Sequence, residues 1–172
     1  IDDRFAPMLD AMDGQLESVR EVIYIGDGPT PDGMHGYEQL IDKHDPVDDA
    51  ERGYDNLAGL FYTGGTTGRS KGVMLSHQNL VCNSYNVIAG FGYGPGMRWL
   101  HSAPMFHIAD GLAVFGVTMV SGSHYFIPGF TPDDFLPAVT ANRITDTLLV
   151  PTMINAVVNH PGIGDYDLSS IK

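Results

Sequence analysis

The sequence predicts an α/β domain in which sheets are flanked by helices. Three observations carry that expectation. Short apolar runs of strand length recur between segments with helical spacing. Several helix starts bring their own capping hydroxyl, notably Ser76 and Thr131. A glycine-rich connection joins two neighbouring strand candidates, as in a hairpin with a long loop.

Taken in order, Glu21 to Ile25 reads as a short buried strand. The turn that follows, Gly26-Asp27-Gly28-Pro29-Thr30-Pro31-Asp32-Gly33, carries prolines that forbid the helix a dinucleotide fingerprint needs directly after its strand. A short helix is expected over Tyr37 to Lys43, and Asp45, Asp48, Asp49, Glu51 and Asp55 then crowd a solvated acidic linker. Leu57 to Tyr62 and Val73 to Leu75 are buried strand candidates. Ser76 caps the next helix, which turns Leu80, Val81, Val87 and Ile88 toward one face and stops at Gly90. A strand at Arg98 to Ala103, a helical or mixed segment at Ile108 to Val120 and a strand at His124 to Ile127 come next. Thr131-Pro132-Asp133-Asp134 is a helix start, with proline at the first helical position and carboxylates near the positive end of the dipole. Ile144 to Val150 is expected as a strand, and Thr152 as the cap of a last helix running to Asn159 and closed by His160-Pro161-Gly162.

Composition narrows the function. The 172 residues, 43% of them hydrophobic, suffice for one domain or for part of a larger one. A net charge of −12 argues against a surface that reads nucleic acid or an anionic membrane by bulk charge, so any anion must be met locally. The single cysteine, Cys82, cannot close an internal disulfide, which points to a reducing compartment and by default the cytoplasm. Its ordinary role would be that of a small buried hydrophobe. The longest apolar stretch, Leu112 to Val120, is interrupted by Gly116 and Thr118 and is too short to span a bilayer. Ile1-Asp2-Asp3-Arg4 is neither an initiator nor a signal peptide, and Asp167-Leu168-Ser169-Ser170-Ile171-Lys172 does not complete an element, so a piece of a longer protein is expected.

The segment richest in chemistry is Tyr62-Thr63-Gly64-Gly65-Thr66-Thr67-Gly68-Arg69-Ser70-Lys71-Gly72-Val73. Glycines let backbone N–H groups turn toward one point, threonine hydroxyls add donors, and a lysine neutralises the anion so enclosed; this is a phosphate nest. It is not a Walker loop, because Ser70 and Gly72 flank Lys71 where that motif requires glycine before and serine or threonine after.

The run resembles the phosphate-binding signature of the adenylate-forming superfamily, Tyr-Thr-Ser-Gly-Thr-Thr-Gly-x-Pro-Lys-Gly-Val, to which acyl-CoA synthetases belong. Gly64 stands for the usual serine. Ser70 stands for the usual proline, which removes a rigid φ. Met74-Leu75-Ser76-His77-Gln78-Asn79-Leu80 is also similar to that family, and Ala103-Pro104-Met105-Phe106-His107 resembles its Pro-x-aromatic-His segment lining the acyl pocket. Weaker resemblance extends from about Phe5 to the carboxyl end.

The resemblance implies that residues 1–172 are a partial AMP-binding domain, a fragment of the acetyl-CoA synthetase-like amino-terminal domain. It implies a ligase that joins a carboxylate, by preference a fatty acid, to AMP and then to coenzyme A, using ATP and Mg²⁺. Thr63, Gly64, Gly65, Thr66, Thr67, Gly68 and Lys71 would hold the β- and γ-phosphates, with the Thr63 hydroxyl on Mg²⁺. Phe106 and His107 would meet the substrate carboxylate, and Lys71 and His107 would take catalytic roles. The Tyr-Gly-x-Thr-Glu and Thr-Gly-Asp segments and the carboxyl-terminal domain with its lysine are not in the sequence. The chain alone is therefore expected to be inactive, to bind ATP weakly and to self-associate through apolar surface.

Two rival readings remain open. Gly68-Arg69-Ser70-Lys71-Gly72 matches the Gly-x-Ser-x-Gly of serine hydrolases, with Asp110 and either His124 or His160 following in order. A nucleophile elbow, however, needs its serine between a strand and a helix, whereas a strand is expected after Ser70. The other rival is a non-catalytic ATP-binding module. His107 could equally be a packed histidine at a strand end. His101 and His107 lack the cysteine or paired carboxylates of a zinc site.

Overall fold

A computed structural model describes residues 1–172 apart from 13, 65–67 and 69. They divide into two compact units, Ile1–Ala50 and Glu51–Lys172.

In the first unit, two 3-10 turns, Ala6–Met8 and Asp10–Met12, precede β1 (Ile23–Tyr24), which pairs in parallel with β2 (His35–Gly36). The expected strand is shorter than its apolar run, and of its two residues only Tyr24 is buried. Ile25 continues the pairing as an isolated bridge to Asp2. Helix α1 spans Tyr37–Lys43, as the sequence predicts. Residues 41–50 are exposed, in keeping with a solvated acidic stretch.

The second unit opens with an antiparallel hairpin, β3 (Leu57–Thr63) and β4 (Lys71–Ser76), in which Tyr62 faces Gly72 and Thr63 faces Lys71. Both strands were expected to be buried, yet Tyr62 is 73% and Met74 68% exposed. Among the described residues this sheet has two strands. Helix α2 (His77–Phe91) starts with a reciprocal cap: Ser76 Oγ accepts the Asn79 N–H at 3.2 Å, and Asn79 Oδ1 accepts the Ser76 N–H at 3.0 Å. It ends at Gly92, whose φ of 71° is the left-handed turn a C-cap needs, two residues beyond the expected Gly90. Leu80 and Ser84 point inward, while Val81 and Cys82 are exposed. A rotation of 100° per residue takes positions 81 and 82 off the buried stripe, so Cys82 is not the buried hydrophobe expected.

The core lies in a parallel sheet of β5 (Arg98–His101), β6 (Ser123–Phe126) and β7 (Asp146–Thr147), in the order β6-β5-β7. Helices α3 (Ile108–Gly111) and α4 (Ala113–Met119) connect β5 to β6, and α5 (Pro132–Asn142) connects β6 to β7. Side chains alternate across β5. Trp99, with Met97, packs on Ala113 and Val117 of α4, whereas Leu100 packs on Phe135, Leu136 and Val139 of α5 together with Ile144 and Val157. Helices thus cover both faces, as the fold class predicts. Thr131 Oγ1 accepts the Asp134 N–H at 3.1 Å and starts α5 as expected.

Two boundaries differ from the sequence expectation. The strand foreseen over Ile144 to Val150 pairs only at Asp146–Thr147, because Pro151 begins α6 (Pro151–Val158). Proline takes the first helical position there, so Val150 is the cap residue and Thr152 lies inside the first turn. Among the described residues no helix is long and apolar enough to cross a membrane.

Candidate functional site

The hairpin and the turn after β5 form one concavity. Thr63 ends β3 and Lys71 begins β4, and the two residues pair across the hairpin. Of the loop residues expected to bind phosphate, Gly65, Thr66 and Thr67 lie outside the described residues, as does Arg69. Gly68 has φ 105°, a conformation that favours glycine, and a Cβ added to Gly64 or Gly68 would meet nothing within 4 Å. The backbone is therefore open to close approach at both positions. Thr63 Oγ1 donates to the Lys71 carbonyl at 3.4 Å, a long bond that leaves the hydroxyl easily redirected. Among the described residues no hydrogen bond or ion pair engages the Lys71 ammonium.

The second half of the site is a turn. His107 N–H donates to the Pro104 carbonyl at 3.0 Å, and the His107 ring caps α3 by accepting the Ala109 N–H on Nδ1 at 3.3 Å. In the neutral ring the hydrogen then sits on Nε2, which is left as a donor. Phe106 is 89% exposed. Phe106, His107 and Ile108 share a cavity of about 460 Å³ with Tyr62, Thr63, Gly64 and the hairpin residues Phe61, Val73 and Leu75. Four expected site residues, Thr63, Gly64, Phe106 and His107, are thus brought together from segments distant in sequence. Gly68 and Lys71 are not among the lining residues. The size is that of a small-molecule pocket.

Behind His107 lies a polar chain, buried at His101 and Asp110 and reaching the surface at Thr118, that sequence reasoning missed. Trp99 Nε1 donates to Asp110 Oδ1 at 3.0 Å, and His101 Nδ1 meets Asp110 Oδ2 at 3.1 Å. His101 Nε2 meets His124 Nδ1 at 2.9 Å, and His124 Nε2 meets Thr118 Oγ1 at 3.0 Å. His101 also stacks on Phe126, the rings 4.8 Å apart. Burial first, and the neighbouring His101 second, lower the pKa of His124. The available signal was the i, i+2 spacing of Trp99 and His101, which puts both on one strand face.

This geometry gives the hydrolase reading no triad among the described residues. Ser70 leads into strand β4, not into a helix. Asp110 is held by Trp99 and His101, His124 by His101 and Thr118, and His160 by Asp133 at 3.1 Å.

Comparison with known proteins agrees. A family model described as AMP-binding enzyme matches residues 1–172. The medium/long-chain-fatty-acid–CoA ligase FadD8 of Mycobacterium tuberculosis is 32% identical over 92% of this chain and 28% of its own length. A feruloyl-CoA synthase of Amycolatopsis sp is 37% identical over 74% of this chain and 26% of its own. The crystal structure of ATP-bound MatB from Rhodopseudomonas palustris superposes with a TM-score of 0.72 at 30% identity, covering 93% of this chain and 31% of that one. The chain thus spans under a third of the length of these relatives. With a family model matched from end to end and CoA ligases among its relatives, the chain belongs to the AMP-binding enzymes, the adenylate-forming family of the acyl-CoA synthetases.

Proposed function

We propose that the whole protein is an ATP-dependent acid–thiol ligase and that this chain supplies its phosphate-binding loop and one wall of its carboxylate site. The observation that carries the reading is the cavity in which Thr63 and Gly64 meet Phe106 and His107. In the reaction a carboxylate oxygen bonds to the α-phosphorus of ATP as the bond to pyrophosphate breaks, and the thiol of coenzyme A then displaces AMP from the acyl group. The residues fit ATP chemically. Open backbone at Gly64 and Gly68 permits N–H donors to approach phosphate, and the Lys71 ammonium, which no hydrogen bond or ion pair engages among the described residues, would meet its charge. We assign Gly65, Thr66 and Thr67 to the same cradle from the sequence motif alone. Thr63 would hold Mg²⁺ by its hydroxyl, and the ion when bound would neutralise phosphate charge. His107 Nε2–H, with Nδ1 occupied by Ala109, would donate to the substrate carboxylate and fix its oxygen for attack.

We place a fatty acid first among substrates, because the cavity wall is largely apolar and aromatic. An aryl acid is the second reading, supported by the likeness to feruloyl-CoA synthase. A cytoplasmic location belongs to the same proposal. By itself the chain would neither turn over nor hold ATP tightly, and would self-associate through exposed Leu60, Tyr62 and Met74.

The test is ATP–pyrophosphate exchange by the whole protein. Lys71→Met removes a charge-assisted contact of about 1.5–3 kcal/mol, so kcat/KM for ATP should fall by roughly 10- to 150-fold. Ser70→Ala should change little. An unaltered exchange rate in both Lys71→Met and His107→Ala would refute the ligase site.

A further inference from the structure

We infer that Asp110 is a positioning residue for His107, held in place by a hydrogen-bond chain that runs through His101, His124 and Thr118. This rests on the ligase reading of the Phe106–His107 turn.

The need for an anchor comes from helix length. Helix α3 has four residues and continues through Leu112 into α4, so its first turn, which carries His107, is an end of the ladder that little of its own bonding holds. Its one fully buried side chain is Asp110, gripped from β5 by Trp99 and His101. The far end of the helix is equally constrained, since a Cβ on Gly111 would lie 2.6 Å from the Met105 carbonyl oxygen. The turn from Met105 to Gly111 is thus pinned to the sheet through Asp110, and the sheet sets where the His107 ring stands.

Counting hydrogens fixes how the chain is wired. Thr118 Oγ1 spends its single hydrogen on the Val114 carbonyl at 2.6 Å, so His124 must donate to it from Nε2. A neutral His124 then has a bare Nδ1, which must accept from His101 Nε2–H. One more hydrogen is needed between His101 Nδ1 and Asp110 Oδ2. Two neutral imidazoles and one hydroxyl supply three hydrogens for four contacts. The fourth is a proton held by the His101–Asp110 pair, which keeps that pair neutral as a whole where the side chains are 1% and 0% exposed. The lowered pKa of His124 agrees with a neutral ring at its place in the chain.

The wiring singles out one conservative variant. With asparagine at 110, Oδ1 still accepts from Trp99, and Nδ2 donates to His101 Nδ1. The chain is then complete with both imidazoles neutral, and no contact is lost. With alanine the grip on α3 disappears.

The experiment uses the whole protein and scores activity per folded molecule. Asp110→Ala should lower kcat/KM for the carboxylic acid by about 100-fold while KM for ATP moves less than about twofold, because the turn shifts and the hairpin does not. Asp110→Asn should recover most of that loss. The inference is overturned if Asp110→Ala leaves the acid kinetics unchanged, if it impairs acid and ATP alike, or if Asp110→Asn is as poor as Asp110→Ala. Should Asp110→Ala fail to fold, Asp110→Asn and a ¹⁵N-histidine NMR measurement of the unmutated protein still decide. The hydrogen of His124 is expected on Nε2, and finding it on Nδ1 breaks the chain. If His107→Ala leaves adenylation untouched, the ligase reading is at fault, and the NMR result then judges the hydrogen-bond chain separately.

Discussion

The β3–β4 hairpin and the β6-β5-β7 sheet put polar chemistry in opposite settings. On the hairpin, Thr63, Gly64 and Lys71 are exposed, and among the described residues one long bond from Thr63 Oγ1 is all that holds the Thr63 and Lys71 side chains. Against the sheet, His101 of β5 and Asp110 of α3 are buried and each is engaged by more than one partner. The contrast fits a division of labour in the proposed ligase: the groups assigned to an anion stand exposed, while the groups assigned to aiming His107 are buried and hydrogen-bonded. His107 sits at the junction, with one ring nitrogen spent on the α3 cap and the other left over.

The largest expected effect lies in the core that α5 packs against the sheet. Phe135 is 1% exposed and packs in the cluster around Leu100, so Phe135→Ala should cost about 3–5 kcal/mol, read from denaturant midpoints. A cost comparable to that of a surface change would mean that the sheet is not the stabilising half.

The next test uses pH. Tyr93 packs on Trp99 with ring centroids 5.4 Å apart, and its phenol is pushed up to about 12 by burial first, then by Asp146 and Asp110. Below its ordinary value of 10.0 both the folded and unfolded chains hold the proton, and stability does not depend on this group. Above it the unfolded chain releases the proton while the folded chain keeps it, so stability falls as pH climbs from 10 toward about 12. Tyr93→Phe keeps the ring contact and should flatten that alkaline loss. An unchanged alkaline unfolding curve would show that the ring is hydrated and that this side of the sheet is open.

A smaller effect separates the two regions at their shared helix. Ser76 ends β4 and caps α2, so Ser76→Ala should cost about 1 kcal/mol, seen as a modest fall in thermal midpoint. A loss as large as that of Phe135→Ala would make the cap part of the core.

How much of this was legible depends on what each position signals. The hairpin was readable because glycine, threonine and lysine in one run have little reason to be together except to meet an anion. Its exposure was not readable, since Leu57, Leu60 and Phe61 give the same apolar pattern whether or not a second layer covers them. The helix starts at Ser76 and Thr131 were legible from their caps, but the last helix starts earlier than Thr152 implies, because the fixed φ of Pro151 suits the first helical position and leaves Val150 as the cap residue. His107 could be found from the Pro104-Met105-Phe106-His107 run. The groups that hold it were legible only in part: the i, i+2 spacing puts Trp99 and His101 on one strand face, but β5 is buried on both faces, so no alternation of apolar and polar residues marks that face as a polar one. Asp110 entered the sequence reading only as the candidate acid of a hydrolase triad, and its complete burial follows only from three-dimensional packing.

The smallest expected change returns to the hairpin. Tyr62 is 73% exposed, and its ring lies over the glycine it pairs with, since a Cβ on Gly72 would lie 3.6 Å from Tyr62 Cε1. Little apolar area leaves water there, and the cross-strand contact has only a backbone on one side. Tyr62→Ala should therefore cost less than about 1 kcal/mol in stability. Because Tyr62 lines the cavity shared with Phe106 and His107, its loss should be felt in the proposed reaction, as a raised KM for the carboxylic acid in the whole protein. If Tyr62→Ala instead unfolds the chain as readily as Phe135→Ala does, the hairpin is a structural element in its own right, and its exposed residues are not held in reserve for a ligand.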